Sequence, residues 1–231
     1  MRIITICAAI ALMAGPALCL TYDGSLSTET GGLTGTGLWG SGETTLSWTV
    51  STPDSPNDPN YALWTYEYIL NVPRGAISHF SIEVSPTFTA ENIRDFDGAP
   101  KLEGPQWMSS DDGNSNPNLP EAFWGIKWDE VNQGESGRFT LVTNRQPMWG
   151  DMYSKSGNAG GQVNTVWNTG LTMPDPLALP SSGSISYHVL VPDTQEGGGN
   201  GGDVVPEPLT IVGMLMAVGG VGRYARRRLA V

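Results

Sequence analysis

Cysteine is the scarcest informative residue in this chain of 231 residues, which contains only Cys7 and Cys19. Both lie within residues 1–19, a segment with the composition of a secretory signal that is removed on export. A mature chain beginning at Leu20 would therefore have no thiol. It would form no disulfide even in an oxidising compartment, and it would have neither a thiol nucleophile nor a cysteine metal ligand. We expect its stability to come from an ordinary apolar core.

Histidine is almost as scarce, with only His79 and His188 in the chain. Each lies on the polar side of a segment with strand-like alternation, and no cysteine or carboxylate stands at ligand spacing from either. We therefore expect two surface histidines rather than a metal site. Serine catalysis is also disfavoured, since the sequence has no G-x-S-x-G motif and two histidines leave little choice of base.

Paired carboxylates are enough for a hydrolase, but nothing in the sequence selects a pair. Two sets of acidic neighbours are Asp129 with Glu130 and Asp95 with Asp97. Neither set comes with a motif that assigns an acid and a base. The sequence therefore predicts a protein without catalytic activity, and a hydrolase with an unidentified carboxylate pair stays as an alternative.

Basic residues are few in the part of the chain that would be exported. Between Asp23 and Glu207, seven lysines and arginines stand against all 23 acidic residues, which leaves a formal net charge of −16 for this part. Such a surface repels the phosphates of nucleic acids and anionic lipid headgroups. We therefore expect no nucleic-acid partner, and solubility is the simplest role of the acidity.

The start of the chain has the three parts of a secretory signal. Arg2 is the positive residue, residues 3–13 form the apolar stretch, and Gly15-Pro16 ends it. Small residues stand at the two positions that a signal peptidase recognises, and we place the cut after Cys19. Acylation of Cys19 is the weaker alternative, because Leu18 is bulky for the position before a lipidated cysteine.

Residues 206–231 have an equally defined order. Pro206-Glu207-Pro208 is followed by an uncharged apolar run over residues 209–222. As a helix this run is about 21 Å long, so it crosses a bilayer core of about 30 Å only if flanking side chains enter or the membrane thins. A basic tail over 223–228 follows and contains Arg223, Arg226, Arg227 and Arg228. Arginines keep that end on the cytoplasmic side, so we expect a short C-terminal membrane helix.

This order of segments resembles the PEP-CTERM sorting signal of Gram-negative bacteria. Pro206-Glu207-Pro208 matches the signature, and the apolar run and Arg226–Arg228 match the rest. The resemblance implies that a membrane-embedded processing enzyme of the exosortase type recognises the segment, and that the chain is tethered to the inner membrane before processing. It also implies a final place at the cell surface or in the extracellular matrix, linked to exopolysaccharide or biofilm production.

Between the two targeting segments the composition predicts one domain and a linker. Residues 20–191 are long enough for one substantial domain. Residues 192–205 are rich in glycine and predict a flexible linker with a root-mean-square span of roughly 20 Å. Such a linker would hold the domain away from the membrane without fixing its orientation.

The domain has the pattern of an all-β fold. Even-numbered residues from Ala62 to Val72 are apolar or aromatic, which indicates burial of one face and an antiparallel sheet. Six runs are rich in aromatic and β-branched residues: Thr44–Val50, Ala62–Val72, Ser78–Val84, Ala122–Asp129, Gly137–Thr143 and Ile185–Val191. Gly- and Pro-rich turns separate them, and one or two helical turns are expected near Thr89–Phe96. The pattern predicts an antiparallel β-sandwich with Greek-key or jelly-roll-like connections.

Residues 117–128, 137–157 and 167–170 resemble a β-rich ectodomain that recurs in PEP-CTERM proteins. That group has no established biochemical activity, so the resemblance implies a β-rich fold and the same export route but no ligand. The Gly-rich start of the mature chain, residues 31–42, lies outside the resemblance.

Seven of the eight tryptophans fall into two groups by their surroundings. Those on alternating apolar faces are expected in the core: Trp48, Trp64, Trp124 and Trp128. The other three lie in loop-like segments rich in glycine, proline and asparagine: Trp107, Trp149 and Trp167. Exposed aromatic faces stack on sugars, and Arg145 and Asp151 could add hydrogen bonds beside Trp149. A carbohydrate-binding module is therefore a second alternative, and the competing interpretation has the three rings closing the ends of the sandwich.

Polar residues in the loop after Trp107 offer one further candidate site. Asp112, Asn114 and Asn116 present oxygens at alternate positions, which is the ligand chemistry that Ca²⁺ prefers. The EF-hand continuation is missing, because Phe123 stands where its acidic last ligand would be. We therefore expect a plain polar loop and no cofactor, with calcium as the weaker alternative.

Overall fold

The structure is a computed structural model, and it describes residues 20–53, 63–111, 115–131, 133–157 and 163–193. By its contacts the chain divides into two units, Met1–Gly199 and Asn200–Val231. All of the described residues belong to the first unit. The predicted signal over 1–19, most of the predicted linker, the Pro-Glu-Pro motif and the apolar run with its arginines lie outside the described residues.

The described residues form an all-β, antiparallel structure, as the sequence predicts. The strands are, in chain order, Thr21–Ser27 (β1), Leu33–Gly35 (β2), Thr45–Ser51 (β3), Trp64–Asn71 (β4), Ile77–Glu83 (β5), Ile93–Asp97 (β6), Lys101–Met108 (β7), Phe123–Asp129 (β8), Ser136–Thr143 (β9), Pro147–Gly150 (β10), Met152–Ser156 (β11), Thr165–Asn168 (β12) and Val189–Pro192 (β13). The helical elements are short: α1 over Gly37–Ser41, and 3₁₀ turns over Ala90–Asn92 and Thr169–Thr172. No helix within the described ranges has the length and apolar character needed to cross a bilayer.

The first sheet has five antiparallel strands in the order β1-β3-β4-β9-β6. Its central strand β4 confirms the predicted face, because Tyr66, Tyr68 and Leu70 are fully buried on one side. Trp64, at the start of the same face, is only half-buried. The sheet thus directs a row of aromatic and aliphatic side chains into the core.

The second sheet has six strands in the order β2-β12-β11-β5-β8-β7, and β10 pairs with β13 as a separate two-stranded ribbon. On strand β5, Phe80 and Ile82 are buried, and so are His79 and Ser81 on the opposite face. The sequence predicts that the His79 face is exposed, and this prediction is wrong. A second apolar cluster packs on that side and consists of Met108, Leu119, Phe123, Tyr153 and Leu171.

Aromatic rings of the two larger sheets meet in the main core. The ring of Phe80 on β5 stacks on Phe139 of β9, with centroids 4.6 Å apart and planes 8° from parallel. Trp128 on β8 lies 5.9 Å from Phe139 and 6.4 Å from Tyr68 of β4. These four rings hold the sheets together by burial of apolar area and by favourable ring geometry.

Several element boundaries differ from the sequence prediction. Seven described strands have no counterpart in the predicted pattern: β1, β2, β6, β7, β10, β11 and β12. The predicted helical segment Thr89–Phe96 contains only the 3₁₀ turn Ala90–Asn92, because the following residues pair with β9 as strand β6. The predicted linker begins too early, since Pro192 ends β13 and Asp193 forms an ion pair with Arg145.

Candidate functional site

The three tryptophans predicted for a binding surface lie in three different environments. Trp107, on β7, is 61% exposed. Trp149 is fully buried, because residues 147–150 form β10 and Trp149 pairs with Leu190 of β13. Trp167, on β12, is half-buried against the second apolar cluster. The alternative in which Trp149 is an exposed loop residue is therefore wrong, and of these three residues Trp107 is the one that offers a largely exposed ring.

The four tryptophans expected in the core also differ in how far they are buried. Trp48 and Trp128 are buried, whereas Trp64 and Trp124 are half-buried. Trp124 meets Trp107 edge to face, with ring centroids 5.8 Å apart and planes at 77°. The exposed ring of Trp107 is therefore supported by a second aromatic ring on the neighbouring strand β8.

A cavity of about 320 Å³ lies beside Trp107, and we call it the Trp107 groove. Apart from Trp107 and Met108 its lining is polar: Glu103, Gln106, Ser115, Asn116 and Lys127. The pairing register of β7 shifts between Glu103 and Gln106, so the strand carries a bulge there, and bulges change the direction of neighbouring side chains. Lys127 is almost fully buried and contacts Glu103 at 2.7 Å and Asp129 at 3.2 Å. The groove thus combines an exposed aromatic face with amide and charged groups.

The predicted calcium loop is only partly described, since Asp112 and Asn114 lie outside the described residues. Asn116 is buried, and its Nδ2 donates to the backbone oxygen of Ser109 at 3.4 Å. Asn116 also lines the Trp107 groove. Calcium binding at this loop stays a prediction.

A second group of functional side chains lies where the two-stranded ribbon adjoins β11. Asp151 stands between β10 and β11, and His188 immediately precedes β13. Because Gly150 pairs with Val189 in the antiparallel ribbon, the next position along brings Asp151 opposite His188. Asp175 joins them from the segment between β12 and β13. Nε2 of His188 lies 3.8 Å from Oδ1 of Asp151 and 3.6 Å from Oδ1 of Asp175.

The structure corrects the prediction of surface histidines at both positions. His188 is fully buried, and two carboxylates face its Nε2 although neither is its neighbour in the sequence. His79 is buried elsewhere, with its ring 5.8 Å from the ring of Tyr153. Burial, followed by the charges of Lys155 and Lys127, lowers the pKa of His79 to about 3, so this imidazole is neutral at ordinary pH.

The backbone around His188 sets the orientation of its ring. Nδ1 lies 3.2 Å from the carbonyl oxygen of Ile185, which assigns the ring proton to this nitrogen. Nε2, on the other side of the ring, faces the two carboxylates and has no hydrogen-bond partner among the described residues. A Cβ at Gly170 would stand 2.8 Å from Nδ1, so glycine there makes room for the ring. Ser186 and Tyr187 have φ values of 50° and 63°, a strained conformation that is frequent at functional sites.

Hydrogen bonds hold Asp151 in place. Its Oδ1 accepts from Nδ2 of Asn168 at 2.6 Å, and its backbone N–H donates to Oε2 of Glu83 at 3.1 Å. Asn168 is fully buried, and its own Oδ1 accepts from the backbone N–H of Met152 at 2.8 Å. Glu83, at the end of β5, thereby joins the group. We call Asp151, Asp175, His188 and Glu83 the carboxylate–histidine cluster.

The electrostatics of this cluster are dominated by burial. Burial, followed by the charges of Asp175 and Asp151, raises the pKa of Glu83 well above its usual range. Burial also raises the pKa of Asp151, against the opposing effect of the hydrogen bond from Asn168. In the part of the chain that the structure describes, no lysine or arginine forms an ion pair with Glu83 or Asp151. The cluster therefore gathers three acidic side chains around the imidazole of His188, which lies within 4 Å of two of them.

The other acidic residues considered from the sequence lie apart from this cluster. Asp129 belongs to the ion pairs beside the Trp107 groove. Asp95 and Asp97 are exposed on β6, where each accepts from the backbone N–H of the next residue. Arg145, expected to assist Trp149, contacts Asp193 at 2.8 Å instead. The acidic neighbours in the sequence therefore do not form the site, and the cluster is built from residues distant in the chain.

Comparison of the chain with protein-family models, with curated proteins and with solved structures found no match. The antiparallel β fold, the Trp107 groove and the carboxylate–histidine cluster are therefore the structural basis for a functional proposal. The export signal and the sorting signal stay predictions from the two ends of the sequence.

Proposed function

We propose that the chain is an exported, non-enzymatic β-sandwich protein of the cell envelope, sorted by an exosortase-type enzyme to the surface or the exopolysaccharide matrix. The observation that carries the proposal is the order of segments over 206–228: Pro-Glu-Pro, an uncharged apolar run and a basic cluster. A secretory signal at the opposite end supports the same route. The two larger sheets would stack face to face, which the ring contact between Phe80 and Phe139 supports.

The Pro-Glu-Pro motif has a physical role in this proposal. Pro206 and Pro208 lack backbone N–H groups and favour extended backbone, so a helix over 209–222 would not continue through them. The motif would then be held extended at the membrane surface, where a processing enzyme can bind it. The apolar run and the arginines would keep the segment in the inner membrane until cleavage.

Replacement of Pro206-Glu207-Pro208 by three alanines in the native host tests the proposal. We expect an unprocessed form in the inner-membrane fraction, seen as slower migration in electrophoresis. Replacement of Gly197–Gly199 by three alanines is the matched control, because it changes as many residues nearby and should leave processing normal. Normal maturation of the motif variant would contradict the proposal.

Glycan binding is a second candidate function, and the Trp107 groove favours it. An exposed indole offers the flat apolar face on which a sugar ring stacks. Gln106 and Asn116 offer amide groups beside it, and Glu103 and Lys127 offer charged groups for sugar hydroxyls. This combination suits a polysaccharide ligand and agrees with the exopolysaccharide setting of the first proposal.

Affinity electrophoresis through gels that contain the exopolysaccharide of the native host tests glycan binding. Trp107→Ala should abolish the retardation, and Trp107→Phe, which keeps an aromatic face, should retain part of it. Phe96→Ala is the matched control, since Phe96 is exposed on β6 of the other sheet. Retardation that survives Trp107→Ala would exclude the groove as the binding site.

A further inference from the structure

We propose that Asp151, Asp175 and His188 bind a divalent transition-metal ion, with Zn²⁺ as the ion that their chemistry fits best. The proposal goes beyond sorting and glycan binding, because neither of these needs a metal. Two independent observations carry it: the spacing of the three ligand atoms, and the buried imidazole nitrogen directed at the carboxylates.

The spacing of the ligand atoms fits an enclosed ion better than direct hydrogen bonds. Nε2 of His188 stands 3.8 and 3.6 Å from the oxygens of Asp151 and Asp175, and the three atoms lie within 4.8 Å of one another. A hydrogen bond would bring nitrogen and oxygen to about 2.7–3.2 Å. Ligands about 2.0–2.2 Å from Zn²⁺ in a tetrahedral arrangement stand about 3.3–3.6 Å apart, so small side-chain rotations would complete the site.

His188 distinguishes this site from an ordinary group of acidic residues. Its Nδ1–H donates to the carbonyl oxygen of Ile185, and histidines that bind metals usually donate their second ring N–H in this way. The described residues provide no donor for Nε2, which is fully buried. A buried acceptor without a donor is unfavourable, and a metal ion would take up that lone pair.

Hydrogen bonds hold one of the two carboxylate ligands, Asp151, in position. Asn168 donates to Oδ1 of Asp151, and ligating carboxylates are commonly hydrogen-bonded in this manner. Glu83 accepts the backbone N–H of Asp151, which fixes the backbone at the ligand. A divalent cation would offset the acidic groups that the fold collects here, since buried charges are normally paired or bound to metals.

The mixed set of ligands selects the class of ion. One imidazole nitrogen with two carboxylate oxygens suits Zn²⁺ and related metals, whereas Ca²⁺ takes about six to eight oxygens and Mg²⁺ keeps several waters. The side chain of Asp175 is 28% exposed, while those of Asp151 and His188 are buried. We therefore infer three protein ligands and a fourth position that opens towards solvent beside Asp175.

Metal titration of the full chain tests this inference. The titration uses the chain without a polyhistidine tag, because such a tag would itself bind zinc. Cys7→Ser with Cys19→Ser removes the two thiols, which would also compete for zinc. After treatment with chelator, calorimetric titration should show one Zn²⁺ per chain, and Co²⁺ should give the strong visible absorption of a four-coordinate site. Zn²⁺ should raise the melting temperature because it binds the folded chain, and equimolar Ca²⁺ should not displace it.

Matched variants locate the ion. Asp175→Asn and His188→Gln should each weaken Zn²⁺ binding about tenfold or more. His79→Gln is the control, because it removes the other buried histidine and should bind Zn²⁺ like the parent chain. Asp175 is partly exposed, so Asp175→Asn decides the result if His188→Gln does not fold. Failure to bind Zn²⁺, unchanged binding in Asp175→Asn, or displacement by equimolar Ca²⁺ would overturn the proposal.

Discussion

Replacement of Trp128 by alanine should destabilise the fold strongly, because this ring is fully buried in the aromatic core between the sheets. Its centroid lies 5.7 Å from Phe80 and 5.9 Å from Phe139. Such a side chain buries about 150–250 Å², which at about 25 cal/mol per Å² corresponds to about 4–6 kcal/mol as an upper bound. Alanine keeps little of that area and leaves a cavity, so we expect the free energy of unfolding to fall by about 4 kcal/mol.

Trp107→Ala is the matched comparison, since the same side chain is removed where most of it is exposed. We expect a loss of about 1 kcal/mol there, and intermediate losses at the half-buried Trp64 and Trp124. Urea denaturation followed by far-UV circular dichroism measures these differences without relying on tryptophan fluorescence. Equal losses for Trp128→Ala and Trp107→Ala would refute this account of the core.

Two further predictions concern buried polar groups. Burial lowers the pKa of His79 from its ordinary value of 6.5 to about 3, so below about pH 6.5 only the unfolded chain gains this proton, and stability falls as the pH is lowered. Between about pH 7.5 and pH 5, urea unfolding should show about 2 kcal/mol more loss in the parent chain than in His79→Gln, and equal losses would contradict this. Arg145→Met should cost about 3 kcal/mol, because it leaves the carboxylate of Asp193 buried without its arginine. Arg138→Met, at an exposed pair with Glu67, should cost under about 1 kcal/mol in the same assay, and similar losses would show that burial does not decide the strength of these pairs.

Alternation in the sequence predicts strands with a continuous buried face, such as β4, but it misses strands interrupted by glycine or proline. β1 contains Gly24, and β7 contains Gly104-Pro105. At Gly24 the reason is close packing, since a Cβ there would lie 2.2 Å from the ring of Trp48. The same residue types mark turns elsewhere, so composition alone does not separate a close approach from a loop.

Both candidate sites depend on pairing between strands that the local sequence pattern does not predict. Trp149 is surrounded by proline and glycine, which indicates a loop, yet its pairing with Leu190 buries it in a short strand. The same register brings Asp151 opposite His188. Asp151 and His188 each adjoin a short apolar strand, and this is the signal that the sequence offers. Only the strand register shows that the two residues lie opposite each other. The sequence puts Trp107 in the same loop-like group as Trp149 and Trp167, and only the structure shows that Trp107 is the largely exposed one of the three.

Intact-mass spectrometry of the protein recovered from the surface of its native host tests the central claim, export and processing at both ends, most directly. The proposal predicts a chain that begins at or near Leu20 and lacks the apolar run over 209–222 together with the arginines that follow. Recovery from the surface of a chain that still carries both residues 1–19 and residues 209–231 would contradict it.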